Sequence, residues 1–189
     1  MIRGGFRNNN FQTFYVSREK SNCPFIPEII KVSKNLKKLG IISEKSSPVL
    51  SHRYGKRVLI NSKVEDFFNI KHEELIEIID YDPLKNNLLV LGPGEPRLET
   101  PVHWMIQHAR NEINAVIQLN EKSLVEKIND KITKTEHAFQ VGSIEQIKEI
   151  LKNLCNSKIV VVKNQSIIFV GKSLEEVKNL IIKILEELK

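Results

Sequence analysis

Residues 97–120 read RLETPVHWMIQHARNEINAVIQLN, and a change of period inside this stretch decides the architecture. Val102, Met105, Ile106 and Ala109 recur at the spacing of one helical stripe, and Pro101 suits a first turn, so a helix is expected over 100–111. AVIQL follows, a short apolar run that reads as a buried strand. A helix leading directly into a buried strand belongs to a domain that mixes helices with a sheet.

Working outward, the last third continues with helix 123–129, helix 144–154, strand 159–162, strand 167–170 and helix 174–188. Ser143 with Gln146 and Ser173 with Glu176 have the spacing of capping boxes at the starts of the last two helices. Toward the N-terminus, NNLLVLG and LIEIIDYD read as strands on either side of Pro83. SKVEDFF has the capping-box spacing at Ser62 and Glu65, and SSPVLSHRYGKRVLI reads as a hairpin of strands 49–53 and 57–60. In PEIIKVSKNLKKLG, Ile29, Val32, Leu36 and Leu39 mark an amphipathic helix over 29–39, ended by Gly40. Residues 1–27, with Asn8 to Asn10, Pro24 and Pro27, read as an irregular extension, and 28–189 as one α/β domain with a largely antiparallel sheet.

The chain has 189 residues, 41% hydrophobic and 28% charged, which is the balance of a globular protein and excludes disordered and fibrous classes. No apolar run approaches the roughly 20 residues of a membrane span. The opening residues lack the apolar core and cleavage site of a secretory signal, so a cytoplasmic protein is expected. Cys23 and Cys155 make no metal-binding or disulfide pattern. Residues 1–57 hold 12 Lys/Arg against 3 Asp/Glu, leaving 17 against 20 beyond them. That basic third could attract an anionic small molecule, an acidic protein or RNA, although its lysines alternate with apolar residues as on a solvated helix face. The aromatic stacking motifs of RNA-binding modules are absent, which argues against nucleic acid.

Over 28–189, several strings resemble the class II aldolase/adducin family. In RLETPVHWMIQHARNEINAVIQLN, Glu99, His103, Arg110 and Asn114-Ala115-Val116 match the family's acidic residue, histidine, arginine and NAV strand without a gap. SKIVVVKNQSIIFVGKSLEEV is similar to the family's late hairpin and helix, and VLSHR and VLIN stand at its GNISVR and ILITPSG segments. The resemblance implies a three-layer α/β/α fold and ring-like homo-oligomers, commonly tetramers. It also implies a zinc site of three histidines, a set suited to this ion.

At those three ligand positions the chain carries Gln118, Asn120 and Gln165, and amides are weak, uncharged zinc ligands. Pro48 and Val49, Lys63 and Val64, and Arg97 and Leu98 replace the small polar residues that grip phosphate in the family. Glu99 matches the family's proton-handling carboxylate, but an acidic residue at a helix start is also favoured by the helix dipole. The pocket residues expected are therefore Lys63, Arg97, Glu99, His103, Gln118, Asn120 and Gln165, with no metal cofactor. Glu99 and His103 joined by Asn120 or Gln165 would be a rebuilt divalent-metal site. His52, His72 and His137 show no ligand spacing, His108 points away from the His103 face, and GPGEPR at 92–97 reads as a rigid turn. The expected function is a pseudoenzyme of the adducin kind, without zinc-dependent aldolase activity and acting in ligand binding or assembly. The alternatives are a divergent sugar-phosphate aldolase, epimerase or dehydratase using Glu99 as acid/base, and anion or RNA binding through the basic third.

Overall fold

The computed structural model describes residues 6–8, 11–38, 40, 42–43, 47–128 and 132–187. In chain order the elements are β1 (Phe6–Asn8), β2 (Phe11–Ser17), α1 (Ile26–Lys38), β3 (Val49–Tyr54), β4 (Arg57–Asn61), β5 (Leu75–Asp82), β6 (Asn87–Leu91), α2 (Thr100–Ala109), β7 (Ala115–Leu119), α3 (Lys122–Lys127), α4 (Ile144–Leu154), β8 (Ile159–Val162), β9 (Ser166–Gly171) and α5 (Leu174–Glu186). Nine strands form one sheet in the order β1-β2-β6-β5-β4-β3-β7-β9-β8. Every pairing is antiparallel except that of β2 with β6.

The alternation of side chains along each strand divides the apolar residues between two faces. On one face Leu50, Leu59, Leu75, Ile117, Ile167 and Phe169 pack under Ile29, Val32 and Leu36 of α1, Leu124 of α3 and Val177 and Ile181 of α5. On the other, Val116, Val160, Ile168 and Val170 meet Val102 and Ile106 of α2 and Ile147 and Ile150 of α4. Further along that second face, Val49, Val58, Ile60, Ile76 and Ile78 pack with Phe11 and with Trp104 of α2. The result is the expected three-layer α/β/α sandwich, with Trp104 in its core.

Most elements fall where their local signals put them, and α4 and β8 match the expected bounds. The N-terminal segment differs. Residues 11–17, expected to be irregular, form β2, which buries Phe11 and Thr13 and adds to the sheet beside β6. α1 begins at Ile26, with Pro27 inside its first turn, where a missing N–H costs nothing. Ser62 starts no helix; its hydroxyl donates to the Glu74 carbonyl at 2.8 Å, and the short 3-10 turn at Phe67–Asn69 is capped by Asp66. Ser143 and Ser173 do accept from the Gln146 and Glu176 N–H groups, but the reciprocal arms reach one residue further back, to the Gly142 and Lys172 N–H groups. The expected helix ends at Leu39, Asn129 and Leu188 lie outside the described residues.

One polar cluster ties the N-terminal segment to the sheet. Glu77 of β5, 3% exposed, accepts from the Ser21 hydroxyl at 2.5 Å, from the Tyr54 hydroxyl and from Arg57 Nη1 at 3.0 Å. Burial pushes its carboxyl up, but these three donors outweigh burial and hold it below the usual carboxylate range. A carboxylate depressed by folding contributes stability that is complete above its unfolded pKa and is lost as pH falls toward the folded one. Urea unfolding of the parent should therefore weaken below about pH 4.5. Glu77→Gln should cost about 1–3 kcal/mol at pH 7 and flatten that acid limb; an unchanged limb would remove Glu77 from this role.

Candidate functional site

The site grows from β7, whose five residues are all buried. Gln118 stands opposite Val49 of β3 and Ile168 of β9, so its amide has to find partners inside the protein. Its Nε2 donates to Ser166 Oγ at 3.1 Å and to Asn120 Oδ1 at 3.0 Å. Asn120 Nδ2 in turn donates to Glu99 Oε1 at 2.9 Å and to the Ser47 carbonyl at 3.1 Å. Behind Gln118 lies His103 of α2, wholly buried, with Nδ1 2.7 Å from Ser51 Oγ. Gln107 Nε2 donates to that same hydroxyl at 3.0 Å, while His103 Nε2 and the Gln118 carbonyl oxygen are buried without a hydrogen-bond partner among the described residues. Burial, assisted by the Arg97 charge and opposed by Gln118, holds the imidazole pKa down to about 3, so the ring is neutral at physiological pH.

At the outer end of this chain Glu99 occupies the N-cap position of α2 without capping it. Its Oε2 lies 3.5 Å from Arg97 Nε, and both side chains are nearly buried. Arg97 also donates from Nη1 to Ser47 Oγ at 2.7 Å and from Nη2 to the Ser47 carbonyl at 3.0 Å. Ser47, Lys63, Val64, Arg97, Leu98 and Glu99 line a cavity of roughly 340 Å³. The loop leading to Arg97 is fixed by close approach: a Cβ on Gly94 would stand 2.5 Å from Ser62 Oγ, and Tyr15 of β2 donates to the Gly94 carbonyl at 3.1 Å. This is the rigid turn expected for GPGEPR, and it is held by the strand that the sequence reading left irregular. Lys63 bonds Glu95 of the loop at 3.0 Å on the surface.

The structure thus brings Lys63, Arg97 and Glu99 to one cavity, with Asn120, Gln118 and His103 in sequence behind it. Gln165 goes elsewhere: its Oε1 accepts from Gln146 Nε2 at 2.5 Å and its Nε2 donates to the Phe139 carbonyl at 2.5 Å. The three amides do not fit zinc. Gln118 and Asn120 each present an N–H donor to two neighbours, and both Asn120 Oδ1 and Gln165 Oε1 already accept, so of the three only Gln118 Oε1 has no donor, and one neutral amide oxygen does not hold zinc. A rebuilt site of Glu99 with His103 is not assembled either, because the carboxylate turns to Arg97 and Asn120. Ser47, Ser51, Gln107 and Ser166 were not expected; for Ser51 and Ser166 the only signal is a small polar residue in an apolar strand. His52 is a buried strand residue stacked on Phe25 at 3.9 Å, neither exposed nor in a loop. His137, which shows no ligand spacing along the chain, lies in space beside Glu136 and Glu149.

Burial makes His103 silent to pH. Its imidazole resonances should stay those of a neutral ring from pH 8 down to about pH 5, where an ordinary histidine has charged. A titration near pH 6.5 in an NMR series would show that burial does not hold the ring neutral.

No protein-family model matches this chain, and no curated protein matches significantly. Solved structures do. An L-fuculose 1-phosphate aldolase superimposes with a TM-score of 0.72 at 18% identity, covering 89% of this chain and 84% of that one. The L-fuculose-1-phosphate aldolase of Thermus thermophilus gives 0.68 at 15%, covering 87% and 90%. The N-terminal class II aldolase domain of a conserved Thermoplasma acidophilum protein gives 0.66 at 12%, covering 90% and 94%. With 84–94% of each chain covered in these superpositions, the chain has the fold of the class II aldolases.

Proposed function

We propose that this protein is a class II aldolase-fold binding module without zinc-dependent carbon–carbon bond chemistry, whose cavity at Ser47, Lys63 and Arg97 takes a small anionic ligand. One observation supports the reading: Gln118 and Asn120 stand where the resemblance puts zinc ligands, and they turn their N–H groups to Ser166, to each other, to Ser47 and to Glu99, while Glu99 is held between Asn120 and Arg97. Glu99 as a proton carrier would have to be free of its partners, yet one oxygen accepts from Asn120 and the other faces a guanidinium.

The same residues favour an anion at the cavity mouth. Lys63, about half exposed, holds Glu95 in a surface ion pair of the kind worth little, so a ligand phosphate or carboxylate can displace it at small cost. Arg97 adds a guanidinium to the same lining, where Glu99 beside it carries the opposite charge. Two of the matched structures bear the name of an enzyme of a sugar phosphate, which makes small phosphorylated sugars the first compounds to try.

The test is a melting-temperature titration with a panel of sugar phosphates and sugar acids, beside an aldol-cleavage assay with and without added zinc. A phosphorylated or acidic compound should raise the melting temperature, and Lys63→Ala should weaken that binding roughly tenfold, about 1.4 kcal/mol, with no cleavage in either assay. Turnover that is lost in a folded Glu99→Gln variant would overturn the reading in favour of a divergent lyase or epimerase.

A further inference from the structure

A second group of titratable side chains lies away from the cavity just described. Glu136 and His137, in the segment before α4, and Glu149, in the middle of α4, each offer a ligand atom, and the three atoms lie within 4.8 Å of one another. Among the described residues no other group of three histidine, cysteine or carboxylate side chains converges in this way.

The three are held together by the backbone. Glu149 Oε1 accepts from the Glu136 N–H at 2.6 Å and from the His137 N–H at 3.0 Å, which pins the loop carrying two of the donors onto the helix carrying the third. His137 Nδ1 stands 3.5 Å from the same oxygen. Lys163 Nζ donates to the Glu136 carbonyl at 2.9 Å and fixes the loop from its other side. Neither anchor uses the Glu136 or His137 side chain, so both stay available to a ligand.

The second oxygen of Glu149 gives an independent indication. Oε2 is buried with no hydrogen-bond partner among the described residues, and the side chain as a whole is only 12% exposed. A buried carboxylate oxygen without a donor is costly, and a bound cation removes that cost.

We propose that Glu136, His137 and Glu149 form a binding site for a divalent transition-metal ion, with zinc the best match. One imidazole and two carboxylates are a donor set that zinc accepts, whereas magnesium and calcium prefer oxygen alone. Donors sharing one zinc ion stand about 3–3.5 Å apart, so the two exposed side chains need to close only a small gap. The ion would sit at the rim of a separate cavity of roughly 340 Å³ whose lining includes Glu136, Lys163 and Thr135. This site is independent of the cavity at Arg97, and either reading can fail without the other.

The test is calorimetric titration of the chelator-stripped full chain with zinc chloride. One ion per chain should bind with micromolar or tighter affinity, and His137→Ala, Glu136→Gln and Glu149→Gln should each weaken binding at least about tenfold. Glu149→Gln keeps an acceptor for the two N–H groups while removing the charge, and the other two side chains are exposed, so unchanged circular dichroism is expected in all three. No binding in the parent, or binding that none of the three substitutions weakens, would overturn the site.

Discussion

A polar side chain on a fully buried strand is the constraint that organises this molecule. β7 lies between β3 and β9 with a layer of helices on each side, and all five of its residues are shielded from water. Four of them are apolar and need only contact. Gln118 needs donors and acceptors, because an amide buried without them costs on the order of 1–3 kcal/mol. Ser166 on β9 and Asn120 just past the strand end accept from its N–H groups, while its carbonyl oxygen faces no donor among the described residues. The requirement then passes along: His103 needs Ser51, and Asn120 brings in Glu99 and the Ser47 carbonyl. Both central strand neighbours and the first turn of α2 are thus placed by hydrogen bonds as well as by apolar packing.

Charge closes the run at its outer end. Arg97 and Glu99 are each nearly buried, and a buried ion pair gains little over an apolar pair of the same shape, but removing one partner leaves a stranded charge. This explains the presence of Glu99 without assigning it any chemistry. Arg97 is shared between the Glu99 carboxylate and two atoms of Ser47, so it acts as a strut between the segment before β3 and the start of α2. The Gly94 loop makes that strut rigid, since no side chain fits between it and Ser62.

Elements with strong local signals were legible in the sequence. The stripe of Ile147 and Ile150 behind the Ser143 cap defines α4, and the alternation in LIEIIDYD defines β5. β2 was not legible, because its partner β6 lies some seventy residues away and the pairing is parallel, so no turn between the two announces it. The site was half legible. Glu99, Arg97 and Lys63 could be placed at one cavity because the family resemblance aligns around α2 without a gap. Gln165 could not be placed, since its direction depends on where the 139–146 segment lies, and nothing local to Gln165 encodes that. The Glu136, His137 and Glu149 cluster was invisible for the same reason: twelve residues separate His137 from Glu149, and only the fold of the intervening loop closes the distance.

The polar side chains around Gln118 also bear on whether three imidazoles could stand at 118, 120 and 165. A catalytic zinc site asks for three convergent nitrogen, thiolate or carboxylate donors and an open position. A histidine at 118 alone would strand Ser166 and the carbonyl oxygen of Asn120 without the donor that now serves both. A histidine at 120 alone would release Glu99 from its hydrogen bond and leave the carboxylate to Arg97. A histidine at 165 would have to leave Phe139 and Gln146 before it could turn toward the other two. Each single step breaks satisfied hydrogen bonds and gains no ion, because one or two ligands hold zinc weakly. Each of these single substitutions should therefore lower stability without assembling a site.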